Sequence, residues 1–270
     1  MGWREIEERL DQRRQQGVVG LIPFLTVGFP DIAATMELIP ALEEAGADVI
    51  ELGVPFSDPL ADGVTVQRAS FQALQQGVTL EICLETCARL RQQGVRVPLV
   101  LFGYYNPILS YGIEPLVQRA AAVGVDGFIV ADLPGEEAAS FDQACEGQGL
   151  CNIPLLAPTS TEERVARSCA NAHGFVYCVS VTGVTGARSD LPSEVPRLVS
   201  LVRRHTSLPI AVGFVISRRE HVESLGAYTD AVAVGSAIID VVAAAPPAHR
   251  AARLREFLSG LRGAALHQDR

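Results

Sequence analysis

Eight short apolar segments recur along the chain, and each is followed by a stretch with the spacing of an amphipathic helix. Most of them are apolar at nearly every position, which is typical of parallel strands covered by helices on one side and by a packed interior on the other. The predicted strands are Leu21 to Val27, Val49 to Leu52, Leu99 to Phe102, Phe128 to Ala131, Ile153 to Leu156, Phe175 to Val179, Ile210 to Val212 and Ala231 to Val234. This alternation predicts an α/β fold.

The segments between the strands have helical spacing, and a further helix precedes the first strand, with Ile6 and Leu10 on one face. The second helix has apolar residues three or four positions apart at Ile32, Met36, Ile39 and Leu42. Eight β-then-α units without a break in composition predict a single (β/α)8-barrel (TIM barrel) domain over residues 1–270, with an extra N-terminal helix. An open doubly wound sheet is disfavoured because no Gly-x-Gly-x-x-Gly sequence follows the first strand.

Charge and composition exclude several classes of function. The net charge of −9 disfavours nucleic acid and anionic membranes as partners, because both attract clustered positive charge. No apolar run reaches the roughly 18 residues that span a bilayer. The N-terminus is charged and amphipathic and lacks the apolar stretch of a secretory signal, so we expect a cytoplasmic protein.

The sequence contains no lysine, and all 22 of its lysine-or-arginine residues are arginines. A lysine amine is the nucleophile of Schiff-base aldolases and of pyridoxal-phosphate enzymes, and neither chemistry can operate in this chain. The 5 histidines are isolated, and the 6 cysteines include no Cys-x-x-Cys pair, so we expect no metal site. These observations predict that the chain itself carries no cofactor.

Two carboxylates mark the end of the second predicted strand and the loop that follows it. Glu51 lies at the end of an otherwise apolar strand, where loss of hydration raises a carboxyl pKa towards neutrality. Asp62 lies on the following loop, which is rich in proline and glycine and can fold back over the barrel mouth, where such barrels have their active sites. The two can serve as an acid–base pair. Alternatively, Glu51 is a structural ion-pair member and Asp62, like Asp58, is a turn former.

Three later predicted strands, the sixth to the eighth, end in glycine-containing turns. Backbone N–H groups in such turns, and at the start of a helix, bind anions without a cationic side chain. Barrel enzymes often bind phosphate between the loops after strands seven and eight. Each turn can also simply close a loop, but their coincidence favours a phosphate site. Its predicted backbone donors are Gly186, Gly213, Val215, Gly235 and Ser236.

The segment from Glu51 to Gly63 resembles the signature segment of tryptophan synthase α subunits. Four other segments resemble the same family in the same order over nearly the whole chain: Pro23 to Thr26, Val130 to Pro134, Gly183 to Gly186, and Gly235-Ser236. The first segment is highly specific, whereas the glycine turns fit many phosphate-binding barrels. The resemblance implies a lyase that splits indole-3-glycerol phosphate into indole and glyceraldehyde 3-phosphate.

The resemblance also implies roles for single residues. Glu51 would transfer protons at the glycerol hydroxyl and at indole C3, and Asp62 would accept a hydrogen bond from the indole N–H. Tyr177 and Thr185 match supporting positions, and Thr185 is expected to bond Asp62 when the loops close. The implied indole pocket, whose residues also fit ordinary barrel core, consists of Phe24, Phe102, Leu156 and Phe214.

The family's partner is a β subunit that carries pyridoxal phosphate and receives indole through a tunnel. The resemblance therefore implies an α2β2 tetramer with Asp58, Asn106 and Pro134 at the interface. One departure bears on the phosphate site, because Val215 stands where many members have a glycine whose N–H contacts the phosphate. Valine keeps the N–H but resists positive φ.

Other functions stay open at this point. A stand-alone lyase that releases indole without a β subunit would have nearly the same pocket. A non-catalytic activator of the β subunit is disfavoured because both Glu51 and Asp62 are retained. A metal-dependent aldolase is disfavoured because the histidines are isolated.

Overall fold

The computed structural model describes residues 2–180, 194–213, 216–264 and 266, and in this part of the chain a parallel sheet is surrounded by helices. The strands are β1 (Gly20–Thr26), β2 (Ile50–Gly53), β3 (Leu99–Gly103), β4 (Gly127–Val130), β5 (Cys151–Asn152), β6 (Leu155–Leu156), β7 (Val176–Val179), β8 (Ile210–Gly213) and β9 (Ala231–Val234). The helices are α1 (Trp3–Gln15), α2 (Ile32–Glu44), α3 (Val64–Gln75), α4 (Leu80–Gln92), α5 (Tyr105–Tyr111), α6 (Ile113–Ala122), α7 (Ala139–Gly147), α8 (Glu162–Ala170), α9 (Glu194–Arg203), α10 (Arg219–Leu225), α11 (Ser236–Ala244) and α12 (Arg250–Leu261).

The sheet closes on itself through its fifth strand. The strand order is β5-β4-β3-β2-β1-β9-β8-β7-β6, and the two outer members are separated in the chain only by Ile153 and Pro154. Backbone bonds bridge this gap, since Ile153 N–H donates to the carbonyl of Phe128 (2.8 Å) and Tyr177 N–H donates to the carbonyl of Pro154 (3.0 Å). β5 and β6 are therefore two halves of one strand. The predicted (β/α)8 barrel is confirmed.

The predicted strand bounds agree with the structure to within one residue, except in the fifth strand. There the prediction was one strand from Ile153 to Leu156, whereas the structure begins at Cys151 and is interrupted before Leu155. Pro154 explains the interruption because proline has no N–H to donate to a neighbouring strand.

Helix α1 closes the amino-terminal end of the barrel. Ile6 and Leu10 are fully buried in one cluster with inward-facing strand residues such as Ile22 and Val100. A Cβ added to Gly20 would lie 2.9 Å from Leu10, so α1 packs directly against the start of β1. The predicted N-terminal helix is confirmed, and the carboxyl ends of the strands form the opposite, open end.

The outer layer follows the predicted helical spacing. Met36, Ile39 and Leu42 of α2 are buried in the core between strands and helices, and Ile32 packs against it. No helix in the described ranges is both long and apolar enough to cross a membrane.

Three buried aspartates tie neighbouring strands together at the closed end of the barrel. Each aspartate lies just before the start of one strand. Its carboxylate accepts, at 2.9 Å, a backbone N–H from the start of the preceding strand in the chain. The pairs are Asp48 with Leu21, Asp126 with Leu99, and Asp230 with Ile210. Each carboxylate also binds one arginine of a helix: Arg13, Arg91 and Arg203 respectively. These contacts fix the register of the strands that they join.

We expect Asp126→Ala to destabilise the barrel strongly. The Asp126 carboxylate is fully buried and accepts hydrogen bonds from the N–H groups of Gly2 (2.6 Å) and Leu99 (2.9 Å) and from Arg91 (2.7 Å). Burial raises the pKa of Asp126 despite Arg91, so the cost of the substitution lies in the donors left unpaired. Removing one member of a buried ion pair costs about 3–5 kcal/mol, which urea unfolding measures.

The matched control is Glu256→Ala, which breaks the exposed pair of Arg253 and Glu256 (3.0 Å). This substitution should cost less than about 1 kcal/mol. Equal losses in the two variants would contradict a role for Asp126 in holding the barrel.

Candidate active site

Glu51 lies on β2 with its side chain inside the barrel. The strand pairing puts it in register with Phe24 of β1 and Val100 of β3. Glu51 is 1% exposed, and its Oε1 atom has no hydrogen-bond partner in the described part of the chain. Burial raises the pKa of this carboxyl group to about 8. Glu51 is therefore mostly protonated at neutral pH, yet close enough to neutrality to exchange its proton.

Asp62 lies on the loop between β2 and α3, where Tyr104 holds it. The Tyr104 hydroxyl donates to the Asp62 carboxylate and accepts the backbone N–H of Ala61 at 3.1 Å. Burial raises the pKa of Asp62 to about 6, and the hydrogen bond from Tyr104 opposes that rise. Asp62 is therefore mostly ionised at pH 7 while Glu51 is mostly protonated, which is the division of states that acid–base chemistry needs.

Tyr177 lies on β7, across the barrel from β2, and is buried. Burial raises the pKa of its hydroxyl, and the negative charges of Glu51 and Asp62 raise it further. Both carboxylates therefore lie near the ring. The structure brings together three predicted residues that come from two strands and one loop.

Two predicted pocket residues form an aromatic wall beside Glu51. The rings of Phe24 and Phe102 meet edge to face, with their centroids 5.6 Å apart. A Cβ added to Gly53 would lie 2.4 Å from the Phe24 ring, so glycine at this position makes room for the ring. Flat apolar surfaces of this kind are suited to an aromatic substrate.

The strand register corrects the prediction for Leu156. β6 pairs Leu155 with Tyr177 and Leu156 with Cys178. Because Tyr177 faces the interior, Leu155 faces it too, and Leu156 packs in the outer layer between strands and helices. A shift of one residue moves a side chain to the opposite face of a strand, so Leu155 is the pocket residue here.

Three of the five predicted phosphate donors, Gly213, Gly235 and Ser236, belong to the described residues. Gly213 ends β8, while Gly235 and Ser236 begin α11 at the same end of the barrel. The N–H of Ile238 donates to the carbonyl of Gly235 (2.9 Å), whereas the N–H groups of Ser236 and Ala237 come before this bond and point out of the helix. A Cβ added to Gly235 would lie 3.8 Å from Phe24. A helix N-terminus beside the aromatic wall can bind an anion without a cationic side chain.

Four predicted site residues, Thr185, Gly186, Phe214 and Val215, lie outside the described residues. Their roles stay predictions. Within the described ranges, no three histidine, cysteine or acidic side chains are grouped so that they could hold a metal ion. All 6 cysteines are free and buried.

The predicted partner residues follow three neighbouring strands on one rim. Asp58 follows β2, Asn106 lies on α5 after β3, and Pro134 follows β4. Asp58 and Asn106 are exposed and Pro134 is half-buried. Leu60 (92% exposed) and Leu109 (52% exposed) lie on the same segments, after β2 and β3. Contiguous exposed apolar surface with polar residues around it marks sites that bind another protein, and these two leucines add apolar side chains to this rim.

Tyr104 is the residue that sequence reasoning missed. It directly follows Gly103, the last residue of β3, and thus has the position at which barrel enzymes carry active-site side chains. This position directly after a strand was the feature of the sequence that could have identified Tyr104 as a site residue. Its contact with Asp62 is visible only in the folded chain.

Known proteins with similar sequences and structures have this arrangement of strands and helices. The model of the family described as tryptophan synthase alpha chain matches residues 10–265. The tryptophan synthase alpha chain of Roseiflexus sp. (strain RS-1) is 51% identical over 258 residues, covering 96% of this chain and 99% of that protein. A solved structure of Mycobacterium tuberculosis tryptophan synthase has a TM-score of 0.88 at 35% identity, covering 97% of this chain and 98% of that chain. Tryptophan synthase subunit alpha from Legionella pneumophila str. Paris has a TM-score of 0.87 at 32% identity, covering 97% of each chain.

Proposed function

Because the chain belongs to the tryptophan synthase alpha chain family, we propose that its barrel mouth cleaves indole-3-glycerol phosphate with Glu51 and Asp62 as the acid–base pair. Family membership makes the chain a carbon–carbon lyase of tryptophan biosynthesis, with indole and glyceraldehyde 3-phosphate as products. One observation carries the assignment of the site: the Glu51 carboxyl is buried at the open end, its Oε1 atom has no hydrogen-bond partner among the described residues, and its pKa is about 8.

The reaction is a retro-aldol cleavage in which Glu51 gives one proton and takes one. Protonated Glu51 first donates to C3 of the indole ring, which becomes a cationic electron sink. The resulting carboxylate then accepts the proton of the glycerol hydroxyl next to the ring. The bond between C3 and the carbinol carbon breaks, its electron pair returns to the ring, and an aldehyde forms. Glu51 ends protonated, as it began, and a pKa near neutrality suits both steps.

Asp62 stabilises the positive charge that develops on the ring. Its ionised carboxylate accepts a hydrogen bond from the indole N–H, and this attraction is stronger in a partly buried site than in water. An electron sink formed by ring protonation replaces the imine of lysine-dependent aldolases. The absence of lysine from the sequence supports this mechanism over an imine.

The proposed substrate has two features that the described site matches. The indole ring would lie against Phe24, Phe102 and Leu155, which are apolar and line the mouth. The phosphate would bind the outward-pointing amides at the start of α11 and the turn at Gly213, with Gly186 and Val215 as further proposed donors.

We also propose that a tryptophan synthase β subunit docks on the rim formed by Asp58, Asn106 and Pro134, in an α2β2 tetramer. The exposed Leu60 and Leu109 support a protein partner on this rim. Pyridoxal phosphate would belong to that partner, because this chain has no lysine to hold it as an imine.

The test of the proposed reaction is incubation of the purified protein with indole-3-glycerol phosphate, followed by measurement of indole release. Glu51→Gln should lower turnover by about two to four orders of magnitude because an amide cannot exchange the proton. Circular dichroism of the variant should match that of the parent. Turnover close to that of the parent in Glu51→Gln would refute the assignment. Release that is the same with and without a β subunit would favour a stand-alone lyase.

The pH dependence of kcat/KM should be bell-shaped. Activity should fall below about pH 6, where Asp62 gains a proton, and above about pH 8, where Glu51 loses the proton that it must donate. Asp62→Asn should be severely impaired, and its residual activity should lack the acidic limb while keeping the alkaline one. An unchanged acidic limb in that variant would show that another group is responsible.

The phosphate site can be tested at the first residue of α11. Ser236→Asp introduces a negative charge where the proposed phosphate binds, whereas aspartate in the first turn of a helix stabilises the helix itself. The KM for indole-3-glycerol phosphate should rise about tenfold or more, from repulsion between like charges at short range. Ser236→Ala is the matched control because it keeps the backbone N–H. Equal KM values for the two variants would show that the phosphate does not bind at this helix.

A further inference from the structure

Tyr104 connects the loop that carries Asp62 to the beginning of α5. It lies between the last residue of β3 and the first residue of α5, and it is 5% exposed. Its ring stacks on Phe56, with centroids 5.0 Å apart and an interplanar angle of 29°. Its hydroxyl accepts the N–H of Ala61 at 3.1 Å and donates to Asp62. One side chain therefore contacts three points of the loop between β2 and α3.

Both ends of this connection are anchored to neighbouring elements. On the loop side, Phe56 N–H donates to the Ser70 hydroxyl (2.9 Å), and that hydroxyl donates to the Phe56 carbonyl (3.1 Å), which fixes Phe56 to α3. On the helix side, Tyr105 N–H donates to Asp132 Oδ1 (2.7 Å), which ties the start of α5 to the segment after β4. A displacement of the start of α5 therefore moves the Tyr104 ring.

We propose that Tyr104 is a positioning residue that orients Asp62 and transmits displacements of α5 to it. The exposed Asn106 and Leu109 lie on α5, so a protein that packs on this rim presses on the helix that begins directly after Tyr104. The inference rests on the proposed function of Asp62 and adds the route by which a partner on the rim adjusts that carboxylate. Packed and hydrogen-bonded groups in series carry coupling of this kind, and Tyr104 supplies the middle of the series here.

The test uses Tyr104→Phe, which keeps the ring and its stacking on Phe56 but removes the hydroxyl. The hydrogen bond from Tyr104 lowers the pKa of Asp62, so its loss should raise that pKa and move the acidic limb of kcat/KM above about pH 6. The other titratable groups that act on this pair are Tyr177, which interacts with Asp62, and Asp132, which interacts with Tyr104, and both are unchanged in the variant. Turnover should fall by about tenfold or more. Stimulation of indole release by the β subunit should fall by about 2- to 30-fold.

Tyr105→Phe is the matched control. It removes a hydroxyl from the adjacent residue, whose ring packs edge to face on Phe141 (6.4 Å), and it should leave the acidic limb in place. In an Asp62→Asn background, Tyr104→Phe should have no further effect, because the group that it positions is gone.

Two results would overturn the inference: an acidic limb that does not move in Tyr104→Phe, or an equal loss of turnover from Tyr104→Phe with and without the Asp62 carboxylate. Failure of the parent protein to release indole would instead refute the proposed function.

Discussion

The chemistry proposed for this barrel depends on the register of its strands, which buried aspartates hold. Asp48 precedes β2 and accepts the N–H of Leu21 at 2.9 Å, so the amino ends of β1 and β2 are tied together. Three residues further along, Glu51 lies in register with Phe24 and faces the interior. A slip of one residue would turn Glu51 into the outer layer. Contacts at the closed end of the barrel thereby fix the carboxyl group at the open end.

Burial of Glu51 lowers the stability of the protein but gives its carboxyl group the pKa that the proposed reaction needs. Its pKa rises from 4.5 to about 8 on folding, so burial of this group costs nothing in ionisation below pH 4.5, and the protein loses stability as the pH rises from 4.5 to about 8. Asp126, which is also buried, differs because three donors satisfy its oxygens. The Oε1 atom of Glu51 has no partner in the part of the chain that the structure describes. Burial in this state lowers stability at one position, and it leaves the carboxyl group able to exchange a proton near neutral pH.

The two carboxylates are held in different ways. Glu51 belongs to a strand that is paired on both sides, and such a strand allows little movement. Asp62 belongs to a loop, where the side chain of Tyr104 binds its carboxylate and the side chain of Gln67 binds its carbonyl at 2.9 Å. The proton-transfer group thus has a rigid position, while the group that stabilises charge can respond to the rim. Loops on a rigid scaffold commonly carry this adjustable part of a site.

The sequence by itself determined the barrel and the N-terminal helix, and it excluded chemistry that needs a lysine imine in this chain. Apolar runs, helical spacing and the absence of lysine are properties of neighbouring residues or of composition, so they can be read without the fold. Only the tertiary structure decided that Leu155 rather than Leu156 faces the pocket, because Pro154 interrupts the strand and the register comes from β7. The same is true of Tyr104, whose partner Ala61 is 43 residues away in the chain. Register, burial and pKa depend on atoms contributed by distant segments, and those atoms meet only when the chain has folded.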